Sequence, residues 1–301
     1  MSSVKGPHLT RRRFIVSAAC ALGAPASAAE PGHALQEWTG RAMGADARIV
    51  LAGASPGRAA RVFAKLERVL NVVEDHFSLY RDSSLTRLNR TGLLGHPAPA
   101  MLAVMRLAGE VHSATGGLFD PTVQPLWLAT ATSGDVAAAR ALLGWERVRI
   151  SEAEIALEPG MQLTFNGIAQ GHAADEVASL LKSEGFTNVL IDTGEIAALG
   201  ARPDGAAWQA AITLPDGREI RRAALSNMAL AVSSPSGTLI GGSKAHIINP
   251  MGGAPLWRIA AVSAPRAALA DALSTAFCLM PRQAVEAALE RFPAARLESL
   301  S

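Results

Sequence analysis

The chain has 301 residues, of which 49% are hydrophobic and 18% charged, so a packed core is available and a mainly disordered chain is excluded. Its length fits one large domain or two small ones. Two cysteines, Cys20 and Cys278, exclude a disulfide scaffold and a four-thiolate zinc site, and the formal charge of +2 needs the first thirty residues to explain it.

Those residues read as an export signal. A basic cluster, Arg11-Arg12-Arg13, runs into an apolar stretch from Phe14 to about Ala29, and the small residues Ala26-Ser27-Ala28-Ala29 precede Glu30. The stretch is broken by Gly23 and Pro25 and falls short of the roughly 20 residues a membrane helix needs. The arginines followed by Phe14-Ile15 resemble a twin-arginine signal. Cleavage after Ala28 or Ala29 would remove Lys5 and the three arginines. The mature chain would then carry 24 of the 28 basic residues against 26 acidic ones, a formal −2, with Cys278 as its one thiol. No basic patch remains to argue for nucleic acid. The expectation is a cleaved signal over residues 1–29, one functional domain over 30–301 and a periplasmic location.

In chain order, Ala47, Ile49 and Leu51 alternate as in a strand, and Ser55-Pro56 reads as an N-cap with proline at the first helical position. Val62, Leu66, Val69, Leu70, Val73 and Phe77 carry the apolar face of that helix. A helix from about Ala100 ends at Gly116-Gly117, and a short one spans Asp135 to Leu143. Strands are expected at Val148–Ile150, Ile155–Leu157 and Leu163–Phe165, then a helix from about His172 to Ser183. After the strand at Asn188–Ile191, Pro215-Asp216-Gly217 marks a hairpin turn between Ile212 and Ile220. Further strands are expected at Ala231–Ser233, His246–Ile248 and Ile259–Val262, and two helices from about Leu269 to Met280 and Arg282 to Arg291. This irregular interleaving favours a compact, two-lobed α+β fold over a doubly wound sheet.

Familiar catalytic and phosphate-loop motifs are absent, and the seven histidines are scattered. Four polar segments remain. Gly116–Val123 carries Asp120 before a proline, suited to holding a ring or ribose, or merely to capping a turn. Thr164–Asp175 places two glycines between a strand and a helix start, where N–H groups attract phosphate and a turn carbonyl can face a metal ion; it also fits an ordinary turn. In Ala270–Ala276, Asp271 and Thr275 lie four apart on one helix face and offer hard oxygens to Mg²⁺; alternatively Asp271 only complements a helix dipole. His246, opening the stretch that ends Asn249-Pro250, is a candidate general base or simply a hydrogen-bonded structural histidine.

Together with Met43-Gly44, FSLYRDSSLTRLN (77–89), GGLFDPTVQPL (116–126), NGIAQGHAAD (166–175), AVSSPSG (231–237), HIINPMGG (246–253) and ADALSTA (270–276) resemble the ApbE family of FAD:protein FMN transferases. The resemblance runs from about residue 40 to about 290 and implies a compact two-lobed fold of mixed sheets and flanking helices. It implies an enzyme that uses FAD and Mg²⁺, places FMN on a Ser or Thr hydroxyl of another protein and releases AMP. By position it assigns flavin contacts to Met43, Tyr80, Leu118, Phe119, Asp120, Thr164, Gln170 and Ile247. It assigns the metal to Asp271, Thr275 and the Gly167 carbonyl, and the transfer to His246. One departure stands out: Asp192-Thr193-Gly194-Glu195 has one glycine fewer than the usual Gly-Gly-Asp form. With the twin-arginine signal, this resembles the branch linked to nitrous-oxide reduction, whose acceptor would be the flavin domain of a membrane regulator. Alternatives are an FAD pyrophosphatase and a non-enzymatic periplasmic flavin-binding protein.

Overall fold

The computed structural model describes residues 35–301; Arg11–Arg13, Cys20 and the expected cleavage region lie outside the described residues. A hairpin of β1 (Leu35–Ala42) and β2 (Ala45–Ala52) opens the fold, turning at Met43 and Gly44. Helix α1 (Pro56–Phe77) starts where expected, with the Ser55 hydroxyl accepting from the Arg58 N–H and Ala59, Val62, Leu66, Leu70, Val73 and Phe77 buried. Next come α2 (Ser84–Thr91), β3 (Leu93–Gly95), α3 (Pro99–Ala114), α4 (Gln124–Thr132), α5 (Val136–Arg140), β4 (Arg149–Ile150) and β5 (Glu154–Ala156). The second half contains α6 (Ala169–Ser183), β6 (Val189–Asp192), β7 (Ile196–Leu199), β8 (Trp208–Thr213), β9 (Glu219–Leu225) and β10 (Met228–Ser233). It closes with β11 (Leu239–Ile240), β12 (Lys244–Ala245), β13 (Ala260–Ala264), α7 (Ala267–Phe277), α8 (Arg282–Glu290) and β14 (Arg296–Leu300).

The frame is a seven-stranded sheet in the order β1-β2-β6-β7-β10-β13-β14. Helices and sheets mix as expected, and every strand pairing among the described residues is antiparallel. Because side chains alternate along a strand, the sheet divides its apolar residues between two cores. Ile49, Leu51, Ile191, Ala231 and Val262 face α1, α3, α6 and α7. Val50, Leu190, Ile196, Leu230 and Ala261 face the opposite way, onto Trp208, Ile212 and Leu225 of the β8–β9 hairpin. This is the physical content of the two lobes: one sheet with a helical layer on one face and a hairpin on the other. Each fully buried Leu or Ile contributes about 1.5–3 kcal/mol relative to exposure.

Helices α6 and α7 are locked start to start. The Gly171 N–H of α6 donates to Asp271 Oδ2 of α7 at 3.1 Å. In return Asp175 of α6 accepts from the Ala267 and Ala268 N–H groups of α7 at 2.7 and 3.1 Å. Each helix therefore caps the other, although neither has a side-chain cap of its own. The approach requires glycine: a Cβ on Gly171 would lie 2.3 Å from the Ala267 carbonyl oxygen.

Two expected strands are corrected. Leu163–Phe165 forms no ladder, because the Asn89 side chain takes both backbone groups of Leu163 and the Thr164 N–H goes to the Pro121 carbonyl. His246–Ile248 is not a strand either; the His246 N–H and ring both bond the Pro235 carbonyl, and pairing stops at Ala245. Helices α2 and α4 and strands β1, β3, β7, β11, β12 and β14 are additions to the expected set.

Candidate active site

A cavity of about 1020 Å³ lies where the β1–β2 hairpin, the turn after α3, the start of α6, the end of β10 and one face of α7 converge. That is ample room for an elongated small molecule. All of the candidate residues except Met43 line it.

Asp271, Thr275 and Gly167 line the cavity together. Asp271 is buried and held by the start of α6. The N–H groups there, expected to await a phosphate, are engaged within the protein: Ile168 and Ala169 donate to the Phe165 carbonyl and Gly171 to Asp271. The anion at this helix start is the protein's own carboxylate, placed where the helix dipole favours it. One turn on, the Thr275 hydroxyl lies 3.3 Å from Ser233 Oγ, which is itself 2.7 Å from Ser274 Oγ. Gly167 abuts this hydroxyl so closely that a Cβ would sit 2.9 Å from Thr275 Oγ1. A carboxylate, a hydroxyl and an adjacent glycine backbone form a compact set of hard oxygen donors, which fits a small divalent cation.

His246 stands in the same cavity. Its Nδ1 is 3.0 Å from the Pro235 carbonyl and 3.2 Å from the Thr238 carbonyl. Both partners only accept, so Nδ1 carries the proton and Nε2 is the basic nitrogen of the neutral ring. The loop thus sets the tautomer a general base requires.

The remaining wall is amphipathic. Tyr80 is exposed at the rim, Phe119 is buried, and Leu118 and Ile247 add apolar surface. The Phe119 carbonyl is 2.9 Å from His112 Nδ1, and its N–H donates to the Thr115 hydroxyl at 3.1 Å, fixing the turn. Asp120 lines the cavity and also caps a turn, Oδ1 accepting from the Thr122 N–H at 2.8 Å and hydroxyl at 2.6 Å. The turn-capping reading of this residue therefore holds, and the residue also stands on the cavity wall. The Thr164 hydroxyl accepts from the Asn166 N–H, and Gln170 lies against Gly194 of the β6–β7 turn. Met43 sits in the core with φ +50°, its N–H donating to Glu74 Oε1, while its neighbours Arg41 and Gly44 line the cavity.

Sequence reading missed Arg41, Asp46 and Arg48, which the sheet brings in, and it noted Asp192 and Glu195 only as part of a shortened loop, not as site residues. Arg48 is paired with Glu37 at 2.7 Å. Burial pushes the Asp192 carboxyl up to about 6, against the lowering effects of the Gly194 N–H and Arg48. Glu195 is raised well above the carboxylate range by burial and then by the charges of Asp271 and Asp192. The only available signal was that these acids flank a tight turn between two apolar strands.

A protein-family model described as the ApbE family matches residues 43–297. The FAD:protein FMN transferase of Salmonella typhimurium is 27% identical, with the match covering 86% of this chain and 82% of that protein. Among solved structures, the flavin transferase ApbE from Vibrio cholerae superposes with a TM-score of 0.76 at 27% identity, covering 88% of this chain and 93% of the other. The apo flavinyl transferase ApbE from Pseudomonas stutzeri gives 0.75 at 26% identity, covering 88% and 91%.

Proposed function

The chain belongs to the ApbE family, and from that membership we propose that it is an FAD:protein FMN transferase acting on a Ser or Thr hydroxyl of an acceptor flavoprotein. The observation that carries the reading is that His246, Asp271, Thr275 and Gly167 line one cavity, with an amphipathic wall beside them. The acceptor hydroxyl attacks the FMN phosphorus of FAD; the new P–O bond joins FMN to the acceptor and the broken one releases AMP.

The family resemblance assigns the parts, and the geometry supports them. His246 Nε2 takes the acceptor proton, because its Nδ1–H is committed to backbone carbonyls. Asp271, Thr275 and the Gly167 carbonyl would hold Mg²⁺, which when bound neutralises charge developing on the pyrophosphate oxygens. Asp271 is pre-positioned by Gly171, and the Thr275 hydroxyl by Ser233. Tyr80, Leu118, Phe119 and Ile247 pack the flavin, Asp120, Thr164 and Gln170 give it polar contacts, and Met43 supports that wall from behind.

Export by the twin-arginine route and work in the periplasm belong to the same proposal, supported by Arg11–Arg13 and the apolar stretch after them. So does a membrane-anchored acceptor such as a regulator of nitrous-oxide reduction, supported by the shortened Gly194-Glu195 turn. The test mixes the protein with FAD, Mg²⁺ and a periplasmic flavin domain, then looks for flavin fluorescence in the denatured acceptor band. Fluorescence that needs Mg²⁺ and vanishes with the acceptor hydroxyl supports transfer. A dark band with AMP released supports the pyrophosphatase, and a dark band with FAD bound intact supports a flavin carrier.

A further inference from the structure

Glu195 stands at the β6–β7 turn, 94% removed from solvent, and its carboxylate lines the cavity that holds Asp271. The Val232 N–H donates to this carboxylate, but Oε2 has no hydrogen-bond partner. A buried carboxylate oxygen without a partner is costly, and native structures rarely leave one without an ion, a proton or a water to receive it. The charges that act on Glu195 are anionic, those of Asp271 and Asp192. Two carboxylates from opposite layers, one on the sheet and one on α7, thus line the same cavity as the Thr275 hydroxyl.

We infer that Glu195 is a second carboxylate of the divalent-cation site, meeting the ion from the sheet while Asp271 meets it from the helix. The inference rests on the reading that a cation binds at Asp271 and Thr275, and adds to it a ligand from another element. A pair of carboxylates supplies two negative charges to the ion, and Glu195 adds a fourth oxygen donor to Asp271, Thr275 and the Gly167 carbonyl, which suits the coordination of Mg²⁺ or Mn²⁺. It also gives the buried, unpartnered Oε2 an occupant, the ion itself. The turn after β6 then contributes directly to cation binding.

The probe is Mn²⁺ alone, with uptake read from the loss of the free-ion electron paramagnetic resonance signal, without FAD. Four chains are compared: unaltered, Glu195→Gln, Glu195→Asp and Asp271→Asn. Glu195→Gln is expected to weaken Mn²⁺ binding tenfold or more, and Glu195→Asp to recover part of that loss. The metal-free Glu195→Gln chain is expected to unfold at or above the temperature of the unaltered one, because the replaced Oε2 has no hydrogen bond to lose. Mn²⁺ affinity within twofold of the unaltered chain, while Asp271→Asn loses it, overturns the role of Glu195 and leaves the cation site standing. A metal-free Glu195→Gln chain that unfolds well below the unaltered one makes Glu195 structural and likewise overturns it. No Mn²⁺ uptake by the unaltered chain, or equal uptake by Asp271→Asn, sinks the cation site itself and Glu195 with it.

Discussion

Asp175 and Asp271 perform the same act in opposite directions where the starts of α6 and α7 meet. Each reaches from its own helix to backbone N–H groups at the start of the other. Asp175 uses both oxygens, one on Ala267 and one on Ala268, and it does not line the cavity. Asp271 gives Oδ2 to Gly171 and stands in the cavity with Thr275 and Glu195. The difference lies in what each carboxylate faces, not in how it is held. The same capping device that ties one helix to the other also fixes a carboxylate in the cavity.

The sharpest way to break this comparison is to remove the two acids in turn. Asp271→Ala is expected to lower Mg²⁺-dependent turnover by about three orders of magnitude, since several kcal/mol of charge stabilisation are lost. The same change should leave the circular dichroism spectrum intact. His246→Gln comes next, with a fall of about two to three orders in turnover and cation binding unchanged, the behaviour of a missing general base. A loss of Mn²⁺ affinity in that variant would move His246 from proton transfer to the cation site.

The third prediction concerns His172, on α6 between Gly171 and Asp175. Burial, with Arg266 and His76 adding to it, lowers its pKa from 6.5 to about 4. The unfolded chain therefore takes up this proton at a higher pH than the folded one. The stability is fully present above pH 6.5 and is lost as pH falls towards 4, by roughly 3 kcal/mol across the window. Urea unfolding from pH 7 to 4 should show this slope, and His172→Leu should flatten it. Smallest is Asp175→Ala, expected to cost about 1–2 kcal/mol by orphaning the first N–H groups of α7, with turnover per folded molecule unchanged. A large loss of turnover there would mean that the two caps are not separable.

Much of the helical layer was legible. Ser55-Pro56 and the spacing from Val62 to Phe77 specify α1, and the i, i+4 relation of Asp271 and Thr275 puts both on one face of α7. What stayed hidden depended on partners distant in sequence. Leu163–Phe165 reads as a strand because nothing local reveals that Asn89, 74 residues away, takes its backbone groups. Helix α2 has two leucines in eight residues and owes its start to the Ser83–Thr86 capping box, too short a pattern to announce itself. Glu195 reads as a turn acid, and only the pairing of β6, β7 and β10 buries it near Asp271. The residues of the site were identified mainly by resemblance; their spacing alone left each with a bland alternative.

The most direct measurement is the intact mass of an acceptor domain after incubation with the protein, FAD and Mg²⁺, with AMP counted in the same sample. The expected result is a gain equal to one FMN less one water on the acceptor, matched one for one by AMP and absent in Asp271→Ala. AMP released with no gain in acceptor mass would contradict transfer and leave FAD hydrolysis as the chemistry of this cavity.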